Sequence, residues 1–163
     1  MGGFSMTDYS LADLTKITDS KRRSVQLWAE AGVIHADVET ERAGTGVHRR
    51  FSRNEAIIAV LIARRAELRI SIGMLKMLAD HYRTLMQRFD VIFEECIAGR
   101  MTAYMASYAD VGYKAFSTTF HAVDPSISPE KQMQALGAFL QKATDQAGGC
   151  HVMRLDRYLA VLR

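Results

Sequence analysis

The chain has 163 residues, of which 48% are hydrophobic and 24% are charged. These fractions are typical of a folded globular protein and argue against disorder, and no run of about 18 apolar residues suggests a membrane helix. The net charge of +3 is too small to identify a class of partner, so the placement of the basic residues carries more information than their number.

Two cysteines, Cys96 and Cys150, lie far apart in a chain that shows no secretory signal pattern. Such usage is typical of a reducing compartment, so we expect a soluble cytoplasmic protein, associated with the nucleoid, and no disulfide framework. A chain of this length accommodates one average domain or two small ones, and we expect two.

The first predicted helix begins near Ser10, which together with Asp13 forms a capping-box pattern. Leu11, Leu14 and Ile17 follow at intervals of three residues and place apolar side chains on one helical face. We therefore expect a short amphipathic helix at this position.

A second helix is predicted after residues 18–20, which break the first helix and supply a cap for the next. Val25 and Trp28 form its apolar side, Gly32 ends it in a left-handed conformation, and residues 21–23 place three cations at its beginning. Cations at the N-terminal end of the second helix of a helix-turn-helix reach base edges and phosphates in the major groove of DNA. This arrangement indicates a DNA-binding protein.

Helical periodicity is lost after the second helix. Residues 34–38 and 47–51 are two short β-compatible runs, and the glycine-containing turn at residues 44–46 lies between them, as in a hairpin or wing. Ser52 and Glu55 then form a full capping box ahead of a third helix, which is predicted to end near residue 68 and to pack beneath the first two.

A long fourth helix is expected at residues 71–98, because no glycine or proline interrupts residues 74–98. An apolar stripe recurs along it at steps of three or four: Met74, Leu78, Tyr82, Leu85, Phe89, Ile92 and Cys96. The stripe either pairs with the same helix of a second protomer or is covered by the protein's own second domain. We favour dimerisation, because helix-turn-helix proteins commonly read symmetric sites as dimers.

The remaining residues predict a small α+β domain. Residues 102–108 and 113–122 form a β-hairpin, a helix starts at Ser128, a third strand covers residues 150–155, and a helical tail covers residues 156–163. The predicted fold class is therefore α+β, with a winged helix-turn-helix at residues 9–70, a linker and dimerisation helix at 71–98, and an effector or interaction domain at 99–163.

Four segments of the first half match one family in combination. They are residues 9–14 (YSLADL), 24–33 (SVQLWAEAGV), 49–52 (RRFS) and 70–75 (ISIGML). With these segments, residues 9–80 resemble the MerR family of bacterial winged helix-turn-helix regulators. Family members typically have Arg, Tyr and Glu where this chain has Gln26, Trp28 and Ala29. The Val-Gln-x-Trp pattern is also similar to the MerR-like modules of phage excisionases and DNA-packaging proteins.

The resemblance implies that the second helix enters the major groove and that the wing lies along the backbone or minor groove. Arg22 and Arg23 are candidates for base-edge contact, because Arg engages guanine O6 and N7 bidentately. The candidates for phosphate contact are Lys21, Ser10, Arg42, His48, Arg49 and Arg50. Gln26 can hydrogen-bond a phosphate. Trp28 offers one indole donor, although a core anchor is the favoured interpretation of this residue.

No catalytic motif occurs, so we expect neither an enzyme nor a cofactor. Cys96 stands alone, and Cys150 and His151 are adjacent residues that diverge on a strand, so no metal site is predicted. Aromatic and methionine side chains in residues 101–140 either line an effector pocket or form a core, and a core is favoured.

The leading hypothesis is a sequence-specific transcriptional regulator that binds an inverted repeat in double-stranded DNA as a homodimer. In this hypothesis the C-terminal domain binds a small-molecule effector or a protein, and no membrane is involved. The alternative is a phage-type architectural DNA-binding protein, an excisionase or packaging subunit, whose C-terminal domain binds a protein partner. A third possibility is a small-molecule-binding or catalytic C-terminal domain with a vestigial DNA-binding head.

Overall fold

The computed structural model describes residues 8–41, 49–109, 115–147 and 150–163. The fold is of the mixed α+β class, as predicted, and the chain divides into two compact units, Met1–Arg88 and Phe89–Arg163. No helix in the described part of the chain is long and apolar enough to cross a membrane.

The first unit contains five helices and a two-stranded sheet among its described residues. In chain order the elements are β1 (Tyr9–Ser10), α1 (Leu11–Thr18), α2 (Arg22–Glu30), α3 (Val38–Glu41), β2 (Arg50–Phe51), α4 (Arg53–Ala66) and α5 (Ile72–Arg88).

Helix α1 begins with the predicted capping box. The Ser10 hydroxyl accepts a hydrogen bond from the Asp13 backbone N–H at 3.2 Å, and the Asp13 carboxylate accepts one from the Ser10 backbone N–H at 2.8 Å. The helix ends at Asp19, whose backbone is left-handed with φ 49°. Leu14 is fully buried, so the apolar face of α1 packs into the core as its periodicity predicts.

The N-cap of helix α2 lies one residue after the predicted capping segment, residues 18–20. Its N-cap is Lys21, whose side chain cannot accept a hydrogen bond, and the Ser20 hydroxyl donates instead to the Thr18 carbonyl. The prediction that residues 18–20 cap this helix is therefore wrong. Gly32 follows the helix with φ +69°, the left-handed conformation that the sequence predicts for it.

Helix α4 is the centre of the first unit, as predicted. Ten of its side chains are buried, including Ile57, Leu61 and the charged Glu55. Ser52 accepts a hydrogen bond from the Glu55 N–H at 3.3 Å, but the Glu55 carboxylate bonds elsewhere, so the prediction of a full capping box is half wrong. The partner of the Glu55 carboxylate is Arg83 of α5, whose Nε and Nη2 groups donate hydrogen bonds to the two carboxylate oxygens at 2.8 Å each.

The predicted hairpin at residues 34–38 and 47–51 is wrong in its first strand. Residues 34–37 are irregular, and residues 38–41 form the short helix α3. The second strand, β2, pairs antiparallel with β1 near the start of the chain, with Ser10 opposite Arg50. The predicted turn at residues 44–46 lies outside the described residues.

The single long helix predicted at residues 71–98 is also wrong, because it is two helices that meet at Phe89. Helix α5 ends at Arg88, and the Phe89 backbone has non-helical angles of φ −130° and ψ 32°. The apolar stripe is partly buried within the protomer: Tyr82 is fully buried in the first unit and Cys96 in the second, whereas Met74, Phe89 and Ile92 are half-buried. Tyr82 packs against α4, where its hydroxyl accepts a hydrogen bond from Nε of Arg65 at 3.0 Å, so the alternative in which the second domain covers the stripe does not describe this position. Pairing of the stripe with a second protomer stays a prediction.

The second unit is an antiparallel sheet with helices, and its elements confirm the sequence prediction. They are α6 (Asp90–Ile97), β3 (Ala103–Ala109), β4 (Phe116–Ala122), α7 (Pro129–Ala147), β5 (His151–Arg154), α8 (Leu155–Tyr158) and a 3-10 helix (Leu159–Leu162). The strand order is β4-β3-β5, and the fully buried Met105 of the central strand lies opposite Phe120 on one side and Met153 on the other. The predicted turn at residues 110–112 lies outside the described residues.

Gly99 ends α6 at a position where no other residue fits well. Its φ is +74°, and the Arg100 N–H donates to the Glu95 carbonyl, which is the bond pattern of a glycine-terminated helix. A Cβ at Gly99 would lie 2.7 Å from Nη2 of Arg163, whose Nε donates to the Ile97 carbonyl at 2.9 Å. Arg163 thereby satisfies a backbone carbonyl in the last turn of α6.

Candidate nucleic-acid interface

An open groove of about 480 Å³ lies on the first unit between the start of α1, the outer face of α2 and the segment before β2. Its lining consists of Ser10, Leu11, Ala12, Arg22, Gln26, Glu30, Arg49 and Arg50. Five of the ten candidate DNA contacts from the sequence are therefore brought together in one place. The other five lie elsewhere or outside the described residues.

Two of the remaining candidates, Lys21 and Arg23, are exposed at the beginning of α2. Together with Arg22 they place three cations at the N-cap and first two positions of a helix with no acidic residue in its first turn. The N-terminal end of a helix carries a partial positive charge, so cations there lower the stability of the free protein and favour a bound anion. This arrangement is unfavourable for folding and favourable for binding phosphate.

Arg50 is positioned by backbone hydrogen bonds. Its N–H donates to the Thr40 hydroxyl at 3.0 Å, and its carbonyl accepts from the Asp37 N–H at 2.8 Å. Because its strand also pairs with β1, the Arg50 side chain is exposed beside the start of α1. Arg49, the preceding residue, lines the same groove and is half-buried.

Ser10 lies in the groove, but its hydroxyl is already used. It donates to the Asp13 carboxylate at 2.7 Å while accepting from the Asp13 N–H, so a phosphate would have to displace a capping bond. The hydrogen bonds from Ser10 lower the pKa of Asp13, and the nearby charges of Arg50 and Lys16 lower it further. Ser10 therefore shapes the groove wall rather than offering a free donor.

Trp28 is only 3% exposed and packs in the core of the first unit, so it does not belong among the candidate DNA contacts. The favoured interpretation as a core anchor is the right one, because an indole at helical spacing from the buried Val25 extends the apolar face of α2. Arg42 and His48 lie outside the described residues, so their assignment stays a prediction.

Sequence reasoning missed Glu30, the acidic residue of the groove. Gln26 donates from Nε2 to Oε1 of Glu30 at 2.9 Å, one helical turn further along α2. Arg22, Gln26 and Glu30 follow at intervals of four residues, a signal that is readable in the sequence and places all three on one stripe of the helix. A phosphate about 4 Å from this carboxylate would be repelled by about 1 to 4 kcal/mol, so the groove is not uniformly attractive to anions.

The loop after α2 is held by the ion pair between Glu55 and Arg83. The Glu55 carboxylate accepts the His35 N–H at 2.8 Å, and the Arg83 guanidinium donates to the Val33 carbonyl at 2.8 Å. Arg83 also donates to Asp80 at 2.7 Å. These bonds fix the exit of α2 against α4 and α5, so the groove is built on a rigid support.

Few side chains in the described part of the chain are placed for metal binding or for thiol chemistry. No group of three His, Cys, Asp or Glu side chains is placed to hold a metal ion among the described residues. Burial raises the pKa of the Cys96 thiol to about 11, which leaves it protonated and unreactive at neutral pH. Cys96 is therefore a packing residue of the second unit.

Comparisons with known proteins add no relative to these observations. No protein-family model matches the chain, and no curated protein is significantly similar to it in sequence.

Proposed function

We propose that this chain is a sequence-specific binder of double-stranded DNA, with α1 and α2 as a helix-turn-helix and the groove beside them as the contact surface. Helix α1 ends at Thr18 and α2 begins at Arg22, so three residues connect them, as in helix-turn-helix proteins. The resemblance of residues 9–80 to MerR-type regulators supports the same proposal, although residues 50–51 pair with residues 9–10 and not with the predicted first strand of a wing.

The observation that carries the proposal is the convergence of cations from separate parts of the chain. Arg22 on α2 and Arg49 and Arg50 before α4 line one groove, although 27 sequence positions separate Arg22 from Arg49. Lys21 and Arg23 are exposed at the adjoining start of α2. Basic residues that converge in this way attract a polyanion, and an arginine at the start of an exposed helix is placed to contact guanine in the major groove.

Two biological roles follow from this surface, and they differ in stoichiometry. A transcriptional regulator of MerR type would bind an inverted repeat as a homodimer, with two protomers on each duplex. An architectural protein of the excisionase or packaging type would bind without such a dimer and dock another protein through its second unit. Tyr82 and Leu85 are buried within the protomer, so a dimer of the first role would have to form through other residues, such as the half-buried Met74.

The proposal is tested by measuring duplex affinity by fluorescence anisotropy, using labelled 20-base-pair duplexes of mixed sequence at several salt concentrations. The double variant Arg49→Gln/Arg50→Gln should weaken binding and make the slope of log K against log salt less negative by about 1.8, since each phosphate contact contributes about 0.9. The matched control is Lys142→Gln/Arg157→Gln, which removes two exposed cations of the second unit.

Wild-type protein without salt-dependent duplex affinity would refute the proposal, as would a groove variant that behaves like the control. Sedimentation of the protein with a selected duplex then separates the two roles. Two protomers on each inverted repeat favour a regulator, whereas one protomer on each site favours an architectural protein.

A further inference from the structure

We infer that Glu30 reads a base, and that it selects a cytosine within about four base pairs of the guanine that Arg22 contacts. This inference rests on the DNA-binding function proposed above. It adds a second base-reading residue at the far end of α2, of opposite charge to the first.

Arg22, Gln26 and Glu30 lie on one stripe of α2 and line the same groove. At a rise of about 1.5 Å for each residue, the first and last of them are separated by about 12 Å along the helix. Base pairs are about 3.4 Å apart along the duplex axis, and the major groove is inclined to that axis, so a helix lying along the groove places Arg22 and Glu30 at most about four base pairs apart.

In the part of the chain that the structure describes, the hydrogen-bond partner of Glu30 is the neutral Gln26 amide and not a cation. The Glu30 side chain is exposed and lines the groove, so its charge acts on a ligand bound there. A carboxylate repels phosphates, so the DNA backbone passes the arginine end of the groove and leaves the Glu30 end for a group that donates hydrogen bonds.

An ionised carboxylate only accepts hydrogen bonds, and guanine O6 and N7 and thymine O4 are acceptors, so these bases are disfavoured. Adenine offers an amino group beside the acceptor N7, whereas cytosine offers its N4 amino group without such a neighbour. Gln26 donates to Oε1 of Glu30 at 2.9 Å, and among the residues that the structure describes no side chain hydrogen-bonds to Oε2, the oxygen that would accept from the base.

The test is selection of bound sequences from a pool of random duplexes, carried out with the full-length wild type, Glu30→Gln and the control Glu130→Gln. Glu130 is an exposed residue of α7, and its substitution produces the same change of net charge. We expect the wild type and the control to select a guanine with a cytosine at one fixed spacing of at most about four base pairs. Glu30→Gln should lose about tenfold in the preference for that cytosine, because an amide both donates and accepts.

Glu30→Gln should also bind mixed duplexes as tightly as the wild type or more tightly, since a negative charge is removed from the groove. This result distinguishes a lost preference from a misfolded protein. Selection of an unchanged consensus by Glu30→Gln would overturn the role of Glu30 while leaving DNA binding intact. Failure of the wild type to retain any duplex would overturn the proposed function itself.

Discussion

The three cations at the start of α2 predict opposite effects of one substitution on stability and on binding. In the triple variant Lys21→Gln/Arg22→Gln/Arg23→Gln, like charges are removed from the positive end of a helix that has no acidic residue in its first turn. Each such cation costs about 0.3 to 1 kcal/mol at an exposed helix terminus. The free energy of unfolding of the free protein should therefore rise, by about 1 to 3 kcal/mol if the three contributions add.

The same variant should bind DNA more weakly. If all three side chains neutralise phosphates, the slope of log K against log salt becomes less negative by about 2.7. If Arg22 and Arg23 contact guanine instead, the slope changes by about 0.9 and the remaining loss appears as reduced discrimination between duplexes. The comparison of slope with discrimination therefore assigns each cation to backbone or to base.

Urea denaturation measures the first effect, and fluorescence anisotropy at several salt concentrations measures the second. The matched control is Lys131→Gln/Lys142→Gln/Arg157→Gln, which removes three exposed cations from the second unit. A triple variant at positions 21–23 with unchanged duplex affinity would refute the role of α2 in binding. A less stable triple variant would refute the reasoning from the helix dipole.

Three further predictions concern stability. Gly99→Ala should lower the free energy of unfolding by about 1 kcal/mol or more, because the residue has φ +74° and the new Cβ would lie 2.7 Å from the Arg163 guanidinium. Gly137→Ala, with open space around its Cβ in the middle of α7, should raise the free energy of unfolding by about 0.5 to 1 kcal/mol. Urea denaturation measures both effects. Arg83→Met should lower the free energy of unfolding by about 3 to 5 kcal/mol, because the Glu55 carboxylate is left buried without its cation. Adding Glu55→Gln to this variant should recover part of that loss, as a double-mutant cycle would measure. Because the pKa of Cys96 is raised from 9.0 to about 11 in the folded protein, the unfolded chain loses this proton first, and the stability that the buried thiol contributes is full below pH 9 and falls as the pH rises through about 11. The difference in unfolding free energy between the wild type and Cys96→Ala should therefore shrink over that interval. A constant difference would contradict the pKa shift.

The outward face of α2 is predictable from the sequence because its periodicity is local. Val25 and Trp28 are buried and Arg22 and Arg23 are exposed, as the spacing of apolar residues predicts. The same reasoning finds the strands and helices of the second unit, where turns and caps separate the elements clearly. Local signals fix which residues face solvent on an element, and this was enough to identify candidate DNA contacts on α2.

Two elements were predicted wrongly, the strand at residues 34–38 and the single helix at residues 71–98, and both depend on contacts that are distant in sequence. The strand at residues 50–51 pairs with Tyr9–Ser10, which is about 40 positions earlier, and no local pattern shows that partner. Residues 34–37 have β-compatible side chains, but the Glu55 carboxylate binds the His35 N–H and the Arg83 guanidinium binds the Val33 carbonyl, so a hairpin ladder is not needed to satisfy this backbone.

The break at Phe89 has a similar origin. No glycine or proline marks it, and Phe89 instead packs against Phe120, at 5.1 Å between ring centroids, within the second unit. A residue whose side chain is held by a neighbouring sheet can leave helical geometry without a local breaker, because tertiary packing outweighs the small cost of one non-helical residue.

The groove itself combines predictable and unpredictable parts. Because Arg22, Gln26 and Glu30 share a stripe of α2, their alignment is readable at intervals of four residues, but only the pairing of β2 with β1 brings Arg49 and Arg50 to the same place. A carboxylate beside these cations lowers the attraction for phosphate, so affinity alone does not explain its position in the groove. If the groove binds DNA, the simplest physical reason for an acid there is discrimination, because rejecting an acceptor at one base position requires a residue that cannot donate to it.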